Sequence, residues 1–263
     1  MEPSYLIAGK SDIGYQRESQ EDFILYEQLD PDNLFVIIAD GTGSSKDHIK
    51  PGVQVAVEIR DTIKRVYAKL KKKDGKNGFL AMPNFFMEEA FLYANRLLGA
   101  FKIGDEETYR GYGASVTACL FREDGRWFCC HTGNTRMYLL RDNKIQQVTH
   151  DQTKGAELVA DGKIDLETYY TSPYRLEITG GLGIVADPII EKQKGTFRDR
   201  DIALFTTDGV HYAVRGEYIE EFVLGAGDVA NACDNLIEAT KEVKYPDNAA
   251  CIVVTWNQAI FED

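Results

Sequence analysis

Four acidic features stand at the ends of apolar runs in this sequence. Asp40 closes the run Leu34-Phe35-Val36-Ile37-Ile38-Ala39, and Asp208 follows Ile202-Ala203-Leu204-Phe205-Thr206-Thr207. Glu21-Asp22 directly precedes the apolar stretch from Phe23 to Tyr26, and Asp247-Asn248 directly precedes the run from Ala249 to Thr255. Each position puts a carboxylate at the mouth of a strand. Carboxylates that converge repel one another unless a cation neutralises them, and an all-oxygen ligand set selects hard ions such as Mg²⁺ or Mn²⁺. The chain has five Asp-Gly pairs, at 40, 74, 124, 161 and 208. Those at 74, 124 and 161 lie among polar residues or at a hairpin and read as tight turns. Asp40 and Asp208 end buried strands, and the glycine after each lets the backbone carbonyl come close to a ligand. Strand-end aspartates also serve as plain caps and turns, so the carboxylates alone leave both readings open.

Other chemistries find less support. His48, His131, His150 and His211 are scattered, which argues against a His-based triad. The five cysteines, an odd number with no Cys-x-x-Cys pair, lie mostly inside apolar runs and read as buried reduced thiols, not as zinc ligands.

The elements that must position the carboxylates follow from periodicity. Short, continuous, β-branched runs such as Leu34 to Ala39 and Ala249 to Thr255 predict strands buried on both faces. Apolar residues at helical spacing predict two long helices after the first strands, one through Val53, Ala56, Val57, Ile63, Val66, Tyr67 and Leu70, the other through Phe86, Ala90, Tyr93, Ala94, Leu97 and Phe101. Asp74 to Gly78 is the loop between them. Asp124-Gly125 and Asp142-Asn143 each separate two strand-like runs and predict hairpins. Residues 151–185 are less regular, with short helical stretches near 154–160 and 166–170. A strand over 201–206 and a helix marked by Val229, Ala232, Cys233 and Leu236 precede the last strand. Hairpin-linked strands with helices grouped between them predict an α+β fold of antiparallel sheets covered by helices, not a βαβ winding.

With 263 residues, 44% of them hydrophobic, the chain can bury one large core, and residues 1–263 are expected to form a single domain. The formal net charge of −12 argues against nucleic acid as a partner. No stretch of eighteen apolar residues predicts a membrane span, and Met1-Glu2-Pro3-Ser4 does not read as a signal peptide, so the expected compartment is the cytoplasm.

Read in order, eight segments resemble the motifs of the metal-dependent, type 2C serine/threonine protein phosphatases, especially the compact bacterial members. They are Arg17-Glu18-Ser19-Gln20-Glu21-Asp22; Val36 to Gly43, ending in Asp40-Gly41-Thr42-Gly43; Gly113-Ala114-Ser115; Gly133-Asn134-Thr135-Arg136-Met137-Tyr138; Val148-Thr149-His150-Asp151-Gln152-Thr153; Thr179-Gly180-Gly181-Leu182-Gly183; Thr207-Asp208-Gly209; and Asp247-Asn248. The resemblance implies an α-β-β-α sandwich, two stacked antiparallel β-sheets flanked by helices on both outer faces, with a flap segment at about 151–180. It implies that Asp40, Asp208 and Asp247 ligate one Mn²⁺ or Mg²⁺ ion. Glu21, Asp40 and the carbonyl of Gly41 would ligate a second, with Asp40 bridging. A water activated between the ions would attack phosphorus, Arg17 would bind the phosphoryl oxygens, and Asp22 and Asn248 would orient their neighbours. Phosphorylated proteins are then the substrates and a Ser/Thr kinase the opposing partner. Tyr169, Tyr170 and Tyr174 in the flap either help choose substrates or simply pack.

The chain departs from the pattern at several places. Asn134 replaces the usual Asp of Gly-Asp-Ser-Arg, and Tyr212 stands where a further Asp is usual. Both are anionic ligands of a third metal site in many members, so two ions and no third are expected here, with low turnover as a consequence. Thr42 stands where eukaryotic relatives carry a His, and Gly43-Ser44 replaces the usual Gly-Gly. An alternative is a catalytically weak relative that binds phosphoproteins or regulates.

Overall fold

The computed structural model describes residues 5–43, 50–74, 77–102 and 111–256. Ser44, His48, Gly75, Lys76 and the first four residues lie outside them. The chain runs through β1 (Leu6–Asp12), β2 (Asp22–Asp30), β3 (Asn33–Thr42), α1 (Pro51–Asp74), α2 (Asn77–Leu80), α3 (Pro83–Lys102), β4 (Gly113–Arg122), β5 (Arg126–Thr132), β6 (Arg136–Arg141) and β7 (Lys144–Gln147). It continues with α4 (Lys154–Ala160), α5 (Leu166–Thr171), a 3₁₀ turn (Pro173–Leu176), β8 (Glu191–Thr196), β9 (Ile202–Thr206), α6 (Asp208–His211), α7 (Gly216–Leu224), α8 (Val229–Glu242) and β10 (Ala249–Thr255).

The strands form two five-stranded antiparallel sheets, ordered β2-β3-β4-β5-β8 and β1-β10-β9-β6-β7. Alternation along each central strand explains the stacking. In β3, Leu34, Val36 and Ile38 face the second sheet, where they meet Met137, Phe205, Ala250, Ile252 and Val254. The intervening Phe35, Ile37 and Ala39 face out and are covered by α1 and α3 through Val55, Ile59, Ile63, Phe91 and Leu98. On the far side, Leu204, Cys251 and Val253 are covered by α7 and α8 through Ile219, Val223, Leu236 and Ile237. Burying each such side chain contributes about 1.5–3 kcal/mol, which is why strands with two buried faces read as unbroken apolar runs. The predicted sandwich is the observed fold.

Turn chemistry agrees as well. Asp142 and Asn143 both take positive φ (52° and 57°), the requirement of the tight hairpin joining β6 to β7. All five cysteines are buried and free. Among the described residues no helix is long and apolar enough to cross a membrane. The residues carry no clear signal for β1, β8, α6 and α7, and the stretch read as a loop over Asp74 to Gly78 is shorter than expected, since Asp74 still belongs to α1 and Asn77 opens α2. In β8, Glu-Lys-Gln-Lys-Gly-Thr is an edge strand whose buried positions are only partly covered, so no apolar run marks it.

Candidate metal centre

The acidic residues meet because antiparallel pairing brings particular strand ends to one end of both sheets. Register sets Asp22, the first residue of β2, opposite Asp40 near the end of β3, and Ser115 of β4 opposite Asp40 on its other side. In the second sheet, the Thr207 N–H donates to the Ala250 carbonyl (3.0 Å), holding the end of β9 beside the start of β10. Asp208 opens α6 and Asp247 precedes β10, so both carboxylates emerge at this junction. One buried bond ties the sheets together here: the Thr207 hydroxyl donates to Asp22 Oδ2 at 2.7 Å.

The resulting cluster is electrostatically unfavourable as an assembly of bare carboxylates. Burial pushes Asp22 well above the usual carboxylate range; the Thr207 bond opposes this, and the charges of Asp208 and Asp247 reinforce it. Asp40 is raised by burial and then by Asp208, Asp22 and Asp247, with Arg17 acting in the other direction. Asp208 is pushed up to about 6 by burial and by Asp247, against the hydrogen bond from Asn134. Hard oxygen donors crowded until their charges conflict are the donor set that a divalent cation relieves, so these residues fit Mg²⁺ or Mn²⁺.

The structure places the sequence-predicted residues unequally. Asp40, Asp208 and Asp247 share one locus, with Asp22 among them. Glu21 is adjacent along the chain, but its carboxylate accepts from the Ser19 hydroxyl and does not join the cluster. Arg17 closes on Asp247 with a two-pronged ion pair (2.7 Å and 2.7 Å). Among the described residues no three His, Cys, Asp or Glu side chains form a closed ligand group. Asn248 donates its backbone N–H to Asp247 Oδ1 (2.8 Å), while its side chain acts on the backbone. Its Oδ1 accepts from Glu21 N (2.8 Å), and its amide donates to the Ile13 and Ser19 carbonyls, fastening the segment before β2.

Two glycines are required by neighbouring backbone and not only by a ligand. A Cβ on Gly209 would stand 1.8 Å from the Asn248 carbonyl oxygen, and one on Gly41 would stand 2.9 Å from the Glu21 carbonyl oxygen and from Gly52 N. Gly209→Ala is therefore expected to destabilise the protein by about 1–3 kcal/mol, measured as a lower midpoint of chemical unfolding. A midpoint equal to the wild type would show that the close approach is not constrained.

Asn134 is held by Ser115, whose hydroxyl donates to Asn134 Oδ1 (2.7 Å), and its amide nitrogen then donates to Asp208 Oδ2 (3.1 Å). A carboxylate there would face Asp208 with like charge. Tyr212 turns its hydroxyl away toward the flap, onto the Arg175 carbonyl (2.9 Å) and Tyr169 (3.0 Å). Thr42 is exposed at the end of β3. In the flap Tyr169 is buried, Tyr170 half-buried and Tyr174 exposed.

One charged pair was not foreseen from the residues. Arg136 forks onto Asp151 at 2.8 Å and 2.6 Å, and both side chains are 4% exposed. Burial alone would raise Asp151, but Arg136 outweighs it and holds the carboxyl well below its usual range. The available signal was an arginine opening the apolar run Met137-Tyr138-Leu139-Leu140, a place where a charge needs a partner.

A match to the protein phosphatase 2C family spans residues 8–177, more than half of the chain. The serine/threonine protein phosphatase PstP of Mycobacterium tuberculosis is 34% identical over 149 residues, which is 56% of this chain and 28% of PstP, so little more than a quarter of that relative's length is matched. Protein phosphatase PhpP of Streptococcus pneumoniae is 23% identical over 250 residues, covering 94% of this chain and 96% of PhpP. Among solved structures, the M. tuberculosis phosphatase PstP/Ppp superposes with a TM-score of 0.79 at 26% identity over 96% of this chain and 99% of that one. The catalytic domain of PstP in complex with two manganese ions gives a TM-score of 0.73 at 26% identity, covering 95% and 97% of the two chains.

Proposed function

This chain belongs to the protein phosphatase 2C family, and from that premise we propose that it hydrolyses phosphoserine and phosphothreonine in proteins with two Mn²⁺ or Mg²⁺ ions. The observation that carries this reading is the cluster of Asp22, Asp40, Asp208 and Asp247, drawn from both sheets, in which burial and the neighbouring carboxylates push Asp22, Asp40 and Asp208 above the usual carboxylate range. In this reading residues 1–263 act as one phosphatase unit. Asp40, Asp208 and Asp247 would hold one ion, and Glu21, Asp40 and the Gly41 carbonyl would hold the other. The ions, when bound, supply an activated water and offset charge on the phosphoryl oxygens.

The chain's own residues do the rest. Asp40 contributes to both sites from a strand fixed on either side by β2 and β4. Asp22 is locked by the Thr207 hydroxyl, which ties the two sheets together at the carboxylate cluster. Asn248 holds Glu21 at the rim through its backbone N–H. Arg17, paired with Asp247 here, has the planar fork that suits phosphoryl oxygens and reaches them from an exposed position once Asp247 serves as a ligand.

The substrates in this reading are phosphoproteins in the cytoplasm, and the partner is a Ser/Thr kinase whose products the enzyme reverses. The net charge of −12 makes nucleic acid and anionic membrane surfaces poor partners. This reading includes no third ion; the Asn134 amide nitrogen turned to Asp208 and the Tyr212 hydroxyl taken by the flap support that. The same two substitutions favour a second reading, a catalytically weak relative that holds phosphoproteins.

Phosphate release from a phosphothreonine peptide, with Mn²⁺, with Mg²⁺ and with chelator, decides between them. Release that depends on the cation and stops with chelator is expected. A folded protein that releases nothing with either ion would sink the enzymatic reading.

A further inference from the structure

Tyr212 has no part in the chemistry above, yet it joins the flap to the turn that carries Asp208. Its backbone N–H donates to the Asp208 carbonyl (2.9 Å), closing α6, so ligand and phenol belong to one rigid turn. Its hydroxyl meets the Arg175 carbonyl at 2.9 Å and the Tyr169 hydroxyl at 3.0 Å, and both partners belong to the 154–176 segment. The Arg175 guanidinium lies 5.0 Å from the Tyr212 ring centroid and that of Arg136 lies 5.6 Å from it. Cations at these distances are attracted to the ring.

Proton accounting shows how the contacts combine. Two phenols supply two protons for three acceptors: Asp151, the Arg175 carbonyl and one phenol oxygen. Asp151 is held ionised by Arg136, so Tyr169 donates to it (2.6 Å). The Tyr212 proton is then shared between the Arg175 carbonyl and the Tyr169 oxygen. The chain Arg136–Asp151–Tyr169–Tyr212–Arg175 therefore runs without a break from the sheet, through the flap, to the turn after Asp208. Leu166, Tyr174 and Leu176 on the same segment are large, apolar and exposed, a surface suited to the residues flanking a phosphorylated serine or threonine.

We propose that Tyr212 is a positioning residue that anchors the 154–176 segment to the turn carrying Asp208, and that this anchoring sets how tightly a phosphorylated protein segment is held. The second half rests on the phosphatase reading; the first does not. Tyr212→Phe removes the hydroxyl and keeps the ring under both guanidinium groups, and Tyr169→Phe breaks the chain from the other side.

Two measurements test the proposal. In cation-free protein, amide hydrogen exchange over residues 165–176 is expected to quicken about tenfold in Tyr212→Phe, which removes one donated hydrogen bond, and by more in Tyr169→Phe, which removes the bond to Asp151 as well as the contact with Tyr212, while exchange in β3 and β10 stays as in the wild type. With Mn²⁺, Tyr212→Phe is expected to raise KM for a phosphothreonine peptide about fivefold and to leave kcat/KM for p-nitrophenyl phosphate, which has no flanking residues, within about twofold. Unchanged exchange at 165–176 in both variants would overturn the anchoring. Faster exchange with equal losses on peptide and small ester, or with none, would overturn the role in holding substrate. A wild-type protein inert toward both esters would count against the phosphatase reading and the substrate half together, while the exchange result would still decide the anchoring.

Discussion

Asp208→Asn is expected to lower cation-dependent phosphate release by about 10²–10³-fold, about 3–4 kcal/mol of transition-state stabilisation, while making the cation-free protein more stable. The first effect follows from its role as a ligand in the proposed function. An amide oxygen is a weak donor for a hard cation, and Asn134 already presents a neutral amide to this carboxylate. The second effect follows from electrostatics. A folded-state pKa of about 6 lies above the ordinary aspartate value, so between about pH 4 and pH 6 the folded state binds more protons than the unfolded one. Stability from this group is present at low pH and is lost as pH rises toward 6. The shift corresponds to at most about 3 kcal/mol, shared with the coupled carboxylates around it. Asparagine has no charge to suppress and still accepts from the Asn134 amide. Unfolding midpoints of the two proteins without cation should therefore coincide near pH 4 and diverge above pH 6, the variant being higher. Activity equal to the wild type would remove Asp208 from the site. A variant less stable at pH 7 would remove the repulsion argument.

That opposition between stability and function also explains what the sequence discloses and what it hides. Asp40 and Asp208 are legible because each interrupts a run that the two-sided core requires to be apolar; a charge there stands out. Both hairpins are legible because Asp142-Asn143 and Asp124-Gly125 carry the backbone preferences the turns need. Asp22 is harder to place. Next to Glu21 it looks like a surface residue, and only the β2–β3 register reveals that it faces Asp40 from a buried position. The contacts of Arg17 and Asn248 reach across 230 and 229 residues, so no local pattern encodes them. β8 is hidden because an edge strand needs no apolar run. The engagement of Tyr212 is hidden for a related reason: the absence of an aspartate is visible in the sequence, but the phenol's partners come from a flap folded back from residues 169 and 175.

Asp151→Asn is expected to cost about 3–5 kcal/mol of stability at pH 7, the usual effect of leaving a buried charge without its partner. Arg136 is 3% exposed, and the remaining polar atom it meets is the Tyr138 hydroxyl at 2.8 Å. Asparagine offers one oxygen in place of two, so one prong of the fork is lost and the guanidinium charge is no longer balanced. Tyr169 and Gln147 also donate to this carboxylate, at 2.6 Å and 3.0 Å, so the flap loosens together with the core. For a chain of this length the loss corresponds to a melting midpoint lower by about 10 °C. Replacing both partners, Arg136→Met with Asp151→Leu, should recover part of the loss, because no charge is then stranded, but not the flap, because Tyr169 has lost its acceptor. The pH dependence has the opposite sign to that of Asp208. Asp151 is held below the usual carboxylate range, so its contribution is complete above about pH 4 and is lost as pH falls further. Cation-free wild-type protein is thus pressed from two sides, by loss of the Arg136–Asp151 pair in acid and by carboxylate repulsion above pH 6. Mg²⁺ or Mn²⁺ relieves only the second, so added cation should raise the unfolding midpoint at pH 7 and leave it nearly unchanged near pH 4. An equal cation effect at both pH values would mean that the ion binds somewhere other than among these carboxylates.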